Sequence, residues 1–353
     1  MELKADTVLF LLGAGASCEA GIPTSTMMID EVEILLEKNE EWHKYKELYY
    51  CIKSSIMHGF GIIGDYDKSS VNIETIVNTM DELIKSIKHP IYPFVGSWIP
   101  RLTELTNNNF KKIEELRRKI VSQLFKWMKY EQNENLLYYR GFLKFLQEYK
   151  YIVRIFSLNY DRCIEEACGE ENINRGFDPE HTWNWRNYEN EEKSDRSINL
   201  YKLHGSIDWA RTPSGLVVER KSDINEGEEA LIFGTTYKMQ YLDPFLYLIY
   251  EFRQRTLGPN TKAIICIGYS FNDEHINGII GQSIKDGPTR KIIVVSPLEN
   301  ENVDKKRENI MRKIDIKTEE NIHCVPIKAK EFLEKKLSVE FIKNILPQEE
   351  TPF

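Results

Sequence analysis

Six short apolar runs constrain this chain more than any other feature of its sequence. Residues 7–12, 151–157, 198–203, 263–268, 291–296 and 323–327 are short and rich in Val, Ile, Leu and Phe, and turn residues bound them. A strand buried on both faces reads as such a continuous run, whereas a half-exposed antiparallel strand alternates. Helical patterns at 161–167 and 273–284 fall between the runs. Strands alternating with helices predict an α/β, Rossmann-like fold: a mainly parallel sheet with helices on both faces.

The first two runs break that alternation. Between them, 30–150 carries helical patterns at 30–37, 73–87, 110–130 and 135–150 with little β signal. A large helical insertion after the first strand-helix unit is therefore expected. It divides the chain into an α/β domain of 1–29 and 151–353 and a helical subdomain of 30–150. Residues 216–220 and 230–233 read as short strands around the turn-rich 221–229, a hairpin excursion, and 189–195 reads as an exposed loop. A last helix is expected at 329–346, followed by a frayed end. No internal repeat or low-complexity stretch is present.

Charge and cysteine content remove several function classes. With 47 Lys plus Arg against 55 Asp plus Glu, the net charge is -8, so the basic footprint of a dedicated nucleic-acid binder is missing. No stretch approaches the roughly 18 consecutive apolar residues of a membrane span. The first residues lack the pattern of a secretory signal, so a cytoplasmic protein with reduced thiols is expected. Cys18, Cys51, Cys163, Cys168, Cys266 and Cys324 form no C-x-x-C pair, so no zinc framework, and no metal site, is expected.

The chemistry-bearing residues follow the runs. GAGASCEAGIP, residues 13–23, comes directly after the first. Gly13 and Gly15 permit a tight turn and close backbone approach, and Ser17 can begin a helix whose free N–H groups face an anion. Strand, glycine turn, helix is the order of dinucleotide sites, although such a turn can also serve only to lead a strand into a helix. Cys18 stands where the third glycine of G-x-G-x-x-G belongs, and no ribose-binding carboxylate follows a second strand. Both points disfavour a nicotinamide-dependent dehydrogenase. From Ala5 to Glu37 there is no Lys or Arg. A phosphate held here must use backbone N–H groups and the helix dipole, unless a distant segment supplies a cation, which argues against a Walker-type lysine site.

The second run leads into SLNYD (157–161), the third into LHGSIDW (203–209), the fourth into GYSFNDEHI (268–276) and the fifth into Ser296 and Pro297. Open α/β sheets bind ligands at these C-terminal strand ends. The Asn159 amide both donates and accepts, which suits a ribose hydroxyl and a water together. His204 is a base suited to neutral pH. Asp161 can orient the Asn159 loop, contact the ribose or cap the next helix, and Asp273 reads as a helix cap or a ligand contact. His275 is structural or faces the cleft. Histidines 43, 58, 89, 181 and 323 lie outside any motif. Trp183, Trp185 and Trp209 suit a core or a cleft wall, and the basic run 111–129 is the solvated face of an amphipathic helix.

Taken in order, these motifs resemble the sirtuin-like NAD-binding superfamily. Gly13, Ala14, Gly15, Ser17, Gly21, Ile22 and Pro23 match its GAGxSxxxGIP. Residues 157–161 match TQNxD, with Leu158 in place of glutamine. Leu203, His204 and Gly205 match the LHG that bears the general base, and Gly268 with Ser270 match its G-x-S nucleotide contact. The four-cysteine zinc module of the protein deacylases is missing, and Thr24, Ser25 and Thr26 replace the residues that follow GIP in them. Acyl-lysine peptide binding is therefore not expected. The phrase GYSFNDEHIN is similar in particular to a prokaryotic branch found in antiphage defence. That resemblance implies an NAD glycohydrolase releasing nicotinamide and ADP-ribose, a regulated effector that depletes NAD, with Asn159 and His204 catalytic. NAD, the substrate, would be held by Gly13, Ala14, Gly15, Ala16, Ser17, Gly21, Ile22, Pro23, Asn159, Asp161, Gly268, Tyr269, Ser270 and Ser296, with no metal required. It further implies a homo-oligomer and a HerA-like ATPase partner. The alternatives are a non-hydrolytic NAD or ADP-ribose sensor and, last, a nuclease subunit, for which clustered metal-binding carboxylates are missing.

Overall fold

The computed structural model describes residues 3–62, 64, 71–86, 100–107, 110–129, 133–189, 197–219, 228–232, 243–298 and 302–347. The chain divides into two units. Met1–Ile22, Tyr130–Ile232 and Met239–Phe353 form one, and Pro23–Lys129 with Phe233–Lys238 form the other.

The first unit is built on a sheet of seven parallel strands. These are β1 (Val8–Leu12), β2 (Val153–Ser157), β3 (Ile173–Asn174), β4 (Ile198–Lys202), β8 (Ala263–Ile267), β9 (Lys291–Val295) and β10 (Ile322–Val325), in the order β10-β9-β8-β1-β2-β4-β3. All six apolar runs of the sequence are strands of this sheet. The seventh, β3, has two residues and is too short to leave a pattern. From β1 the chain steps outward through β2 to β4, and the later strands build on the other side of β1. The order therefore reverses between β1 and β8, and the crevice outside their carboxyl ends is where such sheets take ligands.

Successive side chains of each strand point to opposite faces, so each strand feeds two cores. Phe10 and Leu12 pack with Ile155, Ile265 and Ile267 on one face. Leu9 and Leu11 pack with Phe156, Ile264 and Cys266 on the other. The first face is covered by the helices Gly141–Tyr149 and Val339–Ile345, through Phe142, Phe145 and Ile342. The second is covered by Phe245–Leu257, Glu274–Asp286 and Val303–Lys313, through Leu248, Phe252, Ile276, Ile280 and Ile310. The fold is thus α/β and Rossmann-like, with helices on both faces.

Three local expectations are corrected. Residues 216–220 and 230–233 do not form a hairpin with one another. The strands there, β6 (Val217–Glu219) and β7 (Glu229–Leu231), both pair antiparallel to β5 (Gly205–Arg211), which is the centre of a second, three-stranded sheet. The expected helix at 329–346 is broken, because the Ser338 hydroxyl accepts from the Phe341 N–H at 3.1 Å and starts a new helix, Val339–Ile345. The pattern at 135–150 is a 3₁₀ segment, Asn133–Arg140, followed by the α-helix Gly141–Tyr149. Most of the expected loop 189–195 and turn 221–229, residue 87 and the end after 347 lie outside the described residues.

The second unit is helical among its described residues: Ser25–Lys38, Glu40–His43, Lys46–Ile62, Ile73–Ser86, Pro100–Thr106 and Lys111–Trp127. Thr24 caps the first, its hydroxyl accepting from the Met27 N–H at 3.3 Å. The basic helix Lys111–Trp127 buries Ile113, Leu116, Ile120, Val121 and Leu124 and keeps its lysines on the opposite side. Arg117 binds Asp81 through two nitrogens, at 2.5 and 3.3 Å, which fixes that helix to Ile73–Ser86.

Phe142 has no exposed surface and meets the Phe10 ring edge-on at a centroid distance of 5.1 Å. Truncation to Phe142→Ala is expected to destabilise the sheet unit by about 3–5 kcal/mol, measured by denaturant unfolding followed through the far-ultraviolet signal.

Candidate functional site

The glycine motif lies at the reversal point of the sheet, but it is not the start of a long helix. After β1 the chain makes two short 3₁₀ turns, Ala14–Ala16 and Cys18–Ala20, and Gly21 ends the second in the left-handed region, with φ 92°. The first α-helix begins only at Ser25, in the helical unit that Pro23 opens. The expectation that Ser17 caps a helix facing an anion is corrected accordingly. Its side chain makes no cap, because it is drawn inward to buried partners.

Those partners come from two other motifs. The Ser17 hydroxyl donates to Asp161 Oδ2 at 2.8 Å and receives the Asn159 Nδ2 hydrogen bond at 3.1 Å. An ionised carboxylate only accepts, so the single hydroxyl proton goes to Asp161, and the Tyr139 hydroxyl, 2.9 Å away, donates to Ser17. Burial, then Tyr138 and the Asp161 charge, raise the Tyr139 pKa well above the usual tyrosine range, which keeps it a donor. Asn159 Nδ2 also donates to the Gly13 carbonyl at 3.0 Å. Both amide hydrogens are thus engaged, and among the described residues no donor reaches Oδ1. Asp161 does two of the things expected of it. Its Oδ1 accepts from the Cys163 N–H at 3.0 Å at the start of the helix Cys163–Cys168, and its Oδ2 fastens the Asn159 loop to Ser17. Burial first, and the neighbouring Asp161 carboxylate second, push the Cys163 thiol far above its ordinary range, so it is no nucleophile.

Gly268 closes the site from the other side of the reversal. It sits at φ 61°, with its Cα against the backbone of Gly15 and Ala16, and the Gly15 N–H donates to its carbonyl at 3.0 Å. A Cβ on Gly13 would stand 2.7 Å from that same carbonyl oxygen. The glycines of the two motifs therefore let two loops touch backbone to backbone. The N–H groups of Gly13, Gly15, Ala16, Ser17, Ala20, Gly21 and Ile22 all donate to carbonyls within the protein. The idea that this turn offers a row of free donors is corrected. Among the described residues, Ala14 N–H is the donor in the first turn that reaches no protein acceptor.

His204 lies between β4 and β5, with 4% of its surface exposed. Its carbonyl accepts from the Ile232 N–H at 3.0 Å, its ring lies 6.1 Å from that of Tyr160, and its Nε2 is 3.2 Å from Asp273 Oδ2. Tyr269 is buried, and its hydroxyl donates to Asn277 Oδ1 at 2.8 Å. Ser270 is exposed. Two lysines of the helix Val303–Lys313 reach the later motifs. Lys313 Nζ donates to the Ser270 carbonyl at 3.2 Å and to Asn272 Oδ1 at 2.6 Å, and Lys306 Nζ donates to the Ser296 hydroxyl at 2.7 Å. Lys202, 1% exposed, serves the site from beneath by donating to the Asp161 carbonyl. Among the described residues, no group of three His, Cys, Asp or Glu gathers as a metal ion would need.

Sequence reasoning missed Tyr139, Lys202 and the pairing of Asp273 with His204. Each acts on a motif residue far away in the chain, and nothing local to Tyr139 or Lys202 marks it. Of the two readings open for Asp273, cap or ligand contact, the structure shows the cap: its Oδ1 accepts from the His275 and Ile276 N–H groups at 3.1 and 3.3 Å.

Two glycine substitutions separate backbone strain from close packing. Gly21→Ala meets no atom within 4 Å and carries only the left-handed backbone, a cost of about 1–2 kcal/mol. Gly268→Ala carries that cost and also drives a Cβ into the backbone of Gly15 and Ala16. Denaturation midpoints are expected to fall modestly for the first and much further for the second.

No curated protein matches the chain. Residues 153–322, from the start of β2 to the first residue of β10, match the family described as the SIR2-like domain. That segment is similar to the SIR2-like domain and carries the Asn159, His204 and Gly268 motifs, with β1 and its glycine turn lying before it in the chain.

Proposed function

We propose that the chain hydrolyses NAD to nicotinamide and ADP-ribose. The observation that carries this reading is the meeting of Gly13, Ser17, Asn159 and Asp161 in one hydrogen-bonded cluster at the strand ends where the sheet order reverses. The SIR2-like family includes NAD-utilising enzymes, which supports NAD as the nucleotide.

The residues suit a hydrolysis that needs little acid catalysis. As the bond from the ribose C1′ to the nicotinamide nitrogen breaks, its electron pair leaves on neutral nicotinamide and positive charge develops on the ribose. The protein must hold the sugar and place one water. Asn159 Oδ1 is the acceptor for a ribose hydroxyl or that water, and its orientation is set by the two bonds of Nδ2. His204 takes the water's proton. Ala14 N–H, with Gly268 beside it, suits a pyrophosphate oxygen. Lys306 and Lys313 supply positive charge beside Ser296 and Ser270. The role in antiphage defence, with homo-oligomerisation or a HerA-like ATPase restraining an activity that would otherwise deplete the host, rests on the resemblance of GYSFNDEHIN alone.

The test is nicotinamide release from NAD, quantified by chromatography, with and without candidate partners. The proposal expects turnover by the native chain. His204→Ala and Asn159→Ala should each lose about 10²- to 10⁴-fold in kcat, with ADP-ribose binding retained by His204→Ala and weakened by Asn159→Ala. Binding of NAD with no turnover under any condition would replace hydrolysis by the sensor reading.

A further inference from the structure

We propose that Asp273 is a positioning residue that fixes the tautomer of His204, so that Nδ1 is the nitrogen that takes up the proton. The inference rests on the reading of His204 as the base.

The geometry assigns the ring hydrogens. Asp273 and His204 are each 4% exposed, and Asp273 Oδ2 stands 3.2 Å from His204 Nε2. A carboxylate offers no hydrogen, so Nε2 must carry one, and a neutral imidazole has only one to carry. The lone pair is therefore on Nδ1. That atom is buried and has no hydrogen-bond partner among the described residues. Buried polar atoms in native folds are nearly always partnered, and an orphan calls for a role. A water or a ribose hydroxyl bound beside it would supply the missing donor.

Asp273 is held firmly enough to impose that choice. Its Oδ1 caps the helix Glu274–Asp286, accepting at 3.1 and 3.3 Å, which turns Oδ2 toward the imidazole. The first turn of a helix favours a negative charge at this place. The loop that carries it is clamped as well. Tyr269 donates to Asn277 Oδ1 at 2.8 Å, and Asn277 Nδ2 donates to the Phe271 carbonyl at 2.8 Å. In the reaction, the water oxygen bonds to C1′ as nicotinamide leaves with the C1′–N electron pair, and the water's proton passes to Nδ1. The resulting imidazolium keeps Nε2–H on Asp273 as a charge-assisted bond, and the proton then returns to solvent.

Asp273→Asn is the test. Asparagine caps a helix about as well as aspartate, so its Oδ1 keeps the cap while its NH₂ faces Nε2. Nε2 must then accept, and the hydrogen moves to Nδ1. Long-range ¹H–¹⁵N spectra of His204 are expected to show the Nε2–H tautomer in the native chain and Nδ1–H in the variant. The variant should lose about 10²- to 10⁴-fold in kcat at unchanged KM for NAD. An Nδ1–H signature in the native chain, or an Asn variant with native kcat, overturns the proposal. An Nε2–H signature in a protein that turns over no NAD upholds the assignment of Asp273 and removes only the hydrolase reading. Should the variant fail to fold, the native spectrum alone decides.

Discussion

The candidate site depends on one buried hydroxyl. Ser17 has no exposed surface, yet it receives Asn159 and Tyr139 and donates to Asp161, joining segments from three distant parts of the chain. Removing it would leave buried polar groups short of a partner, at about 1–3 kcal/mol for each one left unsatisfied. It would also leave the Asn159 Nδ2 with only its bond to the Gly13 carbonyl. The hydrogen bonds hold one side of the sheet reversal, and the backbone contact of Gly268 with Gly15 and Ala16 holds the other. The close packing of these loops accounts for the motif glycines without a ligand.

Much of the fold was legible because burial on both faces writes itself into sequence. All six apolar runs are parallel strands, and the polar motifs after them stand at the strand ends. What escaped was short or non-local. β3 is two residues long, and β5 runs through a segment, GSIDWAR, whose charged residues hide it. Asp208 in that strand is buried because Arg175 binds it at 2.9 Å, a partner no local pattern announces. The broken helix after Ala329 followed from a serine whose capping role depends on tertiary context.

The site was legible in its parts and less so in its mechanics. Asn159, Asp161, Ser17 and Gly268 could be named from motifs, but the direction of each hydrogen bond could not. The helix imagined after the glycine turn gave way to two 3₁₀ turns whose N–H groups are mostly engaged inside the protein. On the proposed reading, a phosphate would meet a few backbone donors and lysines brought from the helix Val303–Lys313. A generic anion cradle at a helix end does not describe it. Asp273 shows the same lesson in reverse, because a residue read as a cap also reaches across to the histidine.

The central claim is that these motifs make one site for the ribose of NAD. A crystal structure of the chain with ADP-ribose tests it most directly. The account predicts the pyrophosphate beside the Ala14 N–H and Gly268, with the terminal ribose within hydrogen-bond reach, about 3 Å, of Asn159 Oδ1 and His204 Nδ1. A terminal ribose turned away from both residues, or a nucleotide bound elsewhere on the chain, would contradict it.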